Sequence, residues 1–284
     1  MQPGNSFEPS QYHTAFAKTE EYDRILTNTY KNLRIAKGRI LLTGASGLLG
    51  RELAVRLARP GVRLALWGRN SGRLEELAAT CRAAGAEADI VALDVSDHEA
   101  ALTALKTQDD ADPFGMALLV AGQGDTLPSG AIVEAPEQVM RLVRTNFAAP
   151  AAMAALLAER MAQRGAGRIA LVGTAAASHS LRFAASYSGS KAGLARFADA
   201  LRLAVRDHGV SITLISPGFF GDSGSAPTRP GEIDAGVVAD RMIAAVMAGK
   251  PELVVPRRFL LLRWFDRLLP RTLRDRILLS LRLP

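Results

Sequence analysis

Tyr187 and Lys191 stand four residues apart in Tyr-Ser-Gly-Ser-Lys, so a helix through both puts them on one face. To exchange a proton near neutral pH, a phenol must act well below its free pKa of about 10. A lysine ammonium one helical turn away stabilises the phenolate and lowers that pKa. Thr174, thirteen residues before the tyrosine, has a hydroxyl that can donate to a substrate oxygen. Asn146, in Arg-Thr-Asn-Phe within a predicted long helix, can anchor a water that links the lysine to solvent. Singly these read more plainly, because Tyr-x-x-x-Lys recurs by chance and a lone asparagine is usually an exposed polar residue. The ordered set carries the signal, and its chemistry is general acid–base work beside a carbonyl or alcohol.

Upstream, Thr43-Gly44-Ala45-Ser46-Gly47-Leu48-Leu49-Gly50 ends one apolar run and opens a helical pattern from Leu48 to Leu57. Glycines at such a junction let the backbone turn tightly against a pyrophosphate, whose charge is met by the free N–H groups of the helix start. Gly44, Gly47, Leu49 and Gly50 are candidate contacts, and Ser46 adds a hydroxyl that otherwise reads as a helix cap. At the end of the second apolar run, an NAD site holds an acid toward the ribose hydroxyls. Here the residues are Gly68 and Arg69, so a guanidinium is ready for an extra phosphate and no acid repels it. The expected cofactor is NADP(H) in preference to NAD(H), with a solvated loop arginine as the plainer alternative. Asp94 and Val95 close the third run, where an adenine ring would lie, and a helix cap is the rival role for Asp94.

These residues need a scaffold. Apolar runs at 39–43, 63–67, 90–93, 117–120, 168–172, 211–215 and 253–255 alternate with helical patterns. That alternation predicts an α/β fold, a doubly wound parallel seven-stranded sheet of Rossmann type. The organisation follows as an N-terminal extension over 1–37, a catalytic domain over 38–256 and a basic amphipathic tail over 257–284. Six of the seven net positive charges lie in that tail, which has eight arginines against two aspartates, so the body is near neutral. Nucleic acid is therefore not an expected partner. Pro270 divides the tail into two short helical segments. Trp264 and Phe265 with the surrounding arginines fit an anionic membrane surface, and packing on the protein fits equally. The apolar tail also points to a hydrophobic substrate. One cysteine, Cys81, excludes an internal disulfide, and the four histidines lack metal-ligand spacing. No apolar stretch reaches the roughly 18 residues of a membrane span, and the first residues lack a signal-peptide pattern, so the expectation is a cytoplasmic protein.

Over roughly 38–256 the chain resembles the short-chain dehydrogenase/reductase family. The resemblance rests on Thr43–Gly50, Asp94, Asn146, Thr174, Tyr187, Lys191 and Pro217-Gly218. It implies NAD(P) dependence, a catalytic set of Tyr187, Lys191, Thr174 and Asn146, and homodimers or homotetramers. It also implies cofactor contacts from Ala121, Gly122, Tyr187, Lys191, Pro217, Gly218 and Phe220, with Lys191 toward the nicotinamide ribose and the backbone at Pro217-Gly218 toward the nicotinamide amide, and a substrate loop over about 219–232. Four features depart from the family pattern. The glycine spacing is GxxGxxG, as in its sugar-nucleotide branch, and Leu119-Val120-Ala121-Gly122 replaces Asn-Asn-Ala-Gly. Thr174 replaces the commoner serine, and Asp222 stands where many members have threonine. A nucleotide-sugar epimerase or dehydratase and a non-catalytic NADP(H)-binding partner therefore stay open beside a carbonyl reductase.

Overall fold

The computed structural model describes residues 38–175, 180–223, 232–260 and 268–280. The expectations for the extension over 1–37, and for Trp264 and Phe265, lie outside the described residues.

Seven strands form one sheet in which every pairing is parallel. They are β1 (Arg39–Thr43), β2 (Arg63–Gly68), β3 (Glu87–Ala92), β4 (Phe114–Leu119), β5 (Gly167–Val172), β6 (Val210–Pro217) and, after two short strands, β9 (Glu252–Val255). Their order is β3-β2-β1-β4-β5-β6-β9, so the winding direction reverses between β1 and β4. At such a reversal the crossovers diverge and leave a crevice beyond the carboxyl ends of the strands. The short strands β7 (Phe220–Gly221) and β8 (Ile233–Asp234) pair in parallel and close the base of the segment between them.

Strand alternation sets the two cores. In β1, Ile40 and Leu42 point to one side and Leu41 to the other, and all three are buried. The first side is covered by α1 (Leu48–Leu57), α2 (Ser71–Ala83) and α7 (Ala235–Met247). The second is covered by α3 (His98–Ala111), α5 (Ala149–Gln163) and α6 (Ala185–Ala204). Between the two cores the sheet is dry on both faces, which is why its central strands read as continuous apolar runs. β3 is the exception. It is an edge strand with exposed alternate residues, and it begins at Glu87, three residues before the predicted run at 90–93.

The helical stretch containing Asn146 is not one uniform helix. α4 (Pro136–Val143) passes into a π-helical turn over Arg144–Ala148 before α5 begins. Pro150 has no N–H to return to the carbonyl of Asn146, so the chain widens there, and the Ala149 N–H reaches Arg144 instead. The tail helix α8 (Arg271–Ser280) starts directly after Pro270, where the predicted break lies.

Asp109, on α3, is buried and accepts from the Phe114 N–H at 2.8 Å, from Arg164 at 2.8 Å and from Arg160. Burial works against its charge, but the bonds from Arg164, Arg160 and the Phe114 N–H outweigh it and hold the carboxyl below the ordinary range. We expect Asp109→Ala to cost about 1–3 kcal/mol in chemical denaturation, because it removes the buried acceptor shared by the Phe114 N–H and Arg164, while Arg160 keeps its pair with Asp110. A depressed folded pKa stabilises above the unfolded value of about 3.9 and is lost as pH falls through the folded one. The gap between wild type and Asp109→Asn should therefore be full at pH 7 and narrow only below about pH 4.

Candidate active site

The turn after β1 is shaped for an anion. Gly44 has φ +67°, and a Cβ there would lie 2.8 Å from the Cα of Ala121. A Cβ at Gly50 would fall 2.1 Å from the Gly44 carbonyl oxygen, so the helix start can sit this close only with glycine. Gly47 is the cap residue of α1, with no side-chain acceptor on the first turn and no acid in it. Ser46 is therefore not the cap. The first-turn N–H groups have no side-chain acceptor and lie beside a cavity of about 750 Å³.

That cavity runs along the carboxyl edge of β1–β5. Of the candidate cofactor contacts, Gly44, Ser46, Gly47, Leu49, Gly50, Arg69, Asp94, Val95, Ala121, Gly122 and Phe220 line it. Tyr187, Lys191, Pro217 and Gly218 do not line it. Asp94 is not a helix cap. Its carboxylate accepts from the Ser96 N–H at 2.9 Å and hydroxyl at 2.8 Å, while Asp97 caps α3. Arg69 lies 3.8 Å from Asp94 with both side chains well exposed, a loose pair that a phosphate could displace. Arg73 also lines the cavity and was not singled out from the sequence. It lies in the first turn of α2, four residues after Arg69, and that proximity could have found it. An uncapped helix start, a glycine cradle and two arginines fit a dinucleotide with an additional phosphate.

Asn146 is fully buried and grips the chain after β4. Its Oδ1 accepts from the Gln123 N–H at 2.8 Å, and its Nδ2 donates to the Gln123 carbonyl at 2.9 Å. Thr43 Oγ1 accepts from the Ala121 N–H at 3.2 Å. These three bonds hold the chain at Ala121 and Gln123 without the asparagines of the family pattern. Each end of the Asn146 amide keeps one further hydrogen-bonding position, so a water can still attach there.

Lys191 lies beside Asn146. A Cβ at Gly122 would meet the Lys191 Nζ at 3.1 Å and the Asn146 Oδ1 at 3.2 Å, so both polar groups converge on one glycine. The Lys191 amine is buried and donates to the Val172 carbonyl at 2.7 Å. Burial lowers its pKa from 10.5 to about 8. The Tyr187 phenol, one turn earlier on α6, is hydrogen-bonded to the Thr174 hydroxyl. Burial pushes the phenol above its free value, and that bond pulls it the other way. The expected depression of the tyrosine by the lysine is thus not the dominant effect here, where the amine is bonded to the Val172 carbonyl and desolvation of the phenol prevails. The Thr174 hydroxyl also lies 3.4 Å from the Pro217 carbonyl, to which its proton can turn instead, and so links the end of β5 to the end of β6.

Two loops steady the start of α6. Leu127 N–H donates to the Phe183 carbonyl at 2.7 Å, and Ser186 N–H donates to Glu134 Oε2 at 2.8 Å. Glu134 thereby caps the helix one residue before Tyr187. After β6, Phe259 packs against Gly218, where a Cβ would be 2.6 Å from the ring. Neither Glu134 nor Phe259 was singled out from the sequence, because both act through long-range contacts that no local spacing encodes.

The short chain dehydrogenase family profile matches residues 39–231. An uncharacterized oxidoreductase of Myxococcus xanthus is 37% identical over 179 residues, which cover 63% of this chain and 70% of that protein. The ketoacyl reductase HetN of a Nostoc species is 30% identical over 227 residues, covering 76% and 77%. A short-chain dehydrogenase from Sphingobium yanoikuyae, solved in complex with NADPH, superposes with a TM-score of 0.71 at 24% identity, over 86% of this chain and 96% of that one. With the parallel sheet, the glycine cradle and the Tyr187–Lys191 helix already described, the chain belongs to the short-chain dehydrogenase/reductase family of oxidoreductases.

Proposed function

We propose that this oxidoreductase is an NADPH-dependent reductase of a hydrophobic ketone, with Tyr187, Lys191, Thr174 and Asn146 as its catalytic set. The observation that carries the reading is the convergence of the Tyr187–Thr174 hydroxyl pair and the buried Lys191 amine at the end of β5, beside the cavity. Bound in that cavity, NADPH would supply the hydride. Thr174 and Tyr187 would hydrogen-bond the substrate oxygen and polarise the carbonyl. As the carbonyl becomes an alcohol, the Tyr187 O–H bond breaks and its proton passes to that oxygen. Lys191 would stabilise the resulting phenolate, and a water on Asn146 would return a proton from solvent. Gly122 leaves the room in which these two side chains approach each other.

The names of the relatives favour this direction of chemistry, since they include a ketoacyl reductase, and one fold neighbour is described as a bulky-bulky ketone specific alcohol dehydrogenase. Cofactor preference rests on this chain's Arg69 and Arg73, because the fold neighbours include both an NADPH complex and an NAD+-bound xylitol dehydrogenase. The reading includes a catalytic domain over 38–256, assembly as a homodimer or homotetramer, and a cytoplasmic enzyme attached peripherally to an anionic membrane through 257–284. Among the described residues no helix is long and apolar enough to cross a membrane.

Two outcomes are expected. Tyr187→Phe should lower turnover of a long-chain ketone by about 10²–10⁴-fold, the range for loss of a general acid, while NADPH binding by fluorescence stays intact. Retained turnover would remove the tyrosine from the mechanism. Arg69→Ala with Arg73→Ala should weaken NADPH binding on the order of tenfold or more and leave NADH binding nearly unchanged. Equal losses for both cofactors would assign the arginines a structural role instead.

A further inference from the structure

Among the described residues, four exposed apolar side chains lie in segments that follow strands at the carboxyl edge of the sheet, where the cavity opens. Because all seven strands of the sheet are parallel, the loops that follow β4, β6 and β9 emerge at the same edge as the cavity. Ile132 and Val133, in the loop after β4, are 93% and 75% exposed. Phe219, directly after β6, and Leu260, after β9, are also exposed. Two contacts fix these pieces to the reacting residues. Ile132 and Val133 immediately precede Glu134, whose carboxylate bonds the Ser186 N–H next to Tyr187. Phe219 and Leu260 flank the contact in which Phe259 packs on Gly218, two residues after the Ser216 end of the buried β6 core. Apolar groups thus follow three of the strands at the sheet edge where the Tyr187–Thr174 pair lies.

The chain that follows Leu260 brings positive charge. Arg257 and Arg258 precede it on the same turn, and both are exposed. Arg271 and Arg276 are exposed on α8, and Arg274 is half-buried. Among the described tail residues the one acid is Asp275, which pairs with Arg274 at 3.1 Å. Leu273 and Ile277, one helical turn apart on α8, are exposed as well, as is Leu279. Apolar residues beside arginines match an anionic lipid surface, whose headgroups attract the guanidinium groups while its acyl boundary takes the apolar ones.

The geometry points to a membrane-docking face that includes the rim of the active site itself, so that the enzyme meets an anionic bilayer mouth-first and takes its ketone from the lipid phase. This deepens the reductase reading and rests on it for the substrate. The surface is wider than the tail, since Ile132 and Val133 lie more than a hundred residues away in sequence, in the loop after β4 that Glu134 ties to α6 beside Tyr187.

The test is flotation of the purified full chain with vesicles of phosphatidylcholine alone or of phosphatidylcholine with phosphatidylglycerol. The wild type should float with the anionic vesicles, and raised salt should weaken that binding. Arg271→Gln, Arg274→Gln and Arg276→Gln together should lower partitioning on the order of a hundredfold, about fivefold for each arginine. Ile132→Ser with Val133→Ser should lower it further while turnover of a short, water-soluble ketone is unchanged. No flotation, or flotation that the loop substitutions leave intact, overturns the proposal. So does a change in oligomer size on light scattering, with flotation unaltered, since that assigns the face to a second copy of the chain. Flotation reads no catalysis, so vesicle binding without turnover of any ketone would refute the reductase reading and leave the docking face standing.

Discussion

Holding the Lys191 amine out of water is the demand around which the site is built. An ammonium group loses much of its hydration when buried, and here the loss brings its pKa down to about 8. The Val172 carbonyl, at the last residue of a central strand, is the acceptor that meets the amine. Because the folded pKa lies below the free value, the folded state holds the proton less tightly than the unfolded one. Charged Lys191 therefore costs stability at pH values below about 8, and that cost relaxes as pH rises toward 10.5. The fold tolerates this because the lysine is packed between rigid parts: a sheet that is dry on both faces, a twenty-residue helix and the Asn146-bound strap after β4. A group poised near neutral pH is what proton transfer requires, so the same burial that costs stability makes the site usable.

The anion-binding end of the cavity answers an opposite demand. There the backbone is left with unmet N–H groups at the start of α1, and the close approach of Gly50 to the Gly44 carbonyl excludes any side chain that would fill the space. One end of the crevice thus offers uncompensated donors to a diphosphate, and beside the other a buried lysine stands near a phenol. The winding reversal between β1 and β4 is what places both ends on one edge of one sheet.

Much of this was legible in the sequence because it is local. The bounds of α1, the parallel order of apolar runs and the four-residue spacing of Tyr187 and Lys191 depend on near neighbours, and periodicity reports those directly. What escaped was set by edge position, by local competition between similar residues or by distant partners. The start of β3 is hidden because an edge strand has no continuous apolar run. The π turn at Asn146 follows from Pro150, which a helical pattern read as an ordinary helix. Asp94 reads as an adenine-site residue with a helix cap as its rival role, because aspartate suits both places, and only the competing Asp97 separates them. Glu134 and Phe259 steady the site from loops 52 and 41 residues away from their partners, so no motif could have named them.

The central claim is best tested by the titration of Lys191 itself, followed by nuclear magnetic resonance in chain labelled at lysine, with a Lys191→Met variant to assign the signal. The account predicts a midpoint near 8 in the cofactor-free protein. A midpoint near the ordinary lysine value of about 10.4 would mean a hydrated amine, and would contradict the site described above.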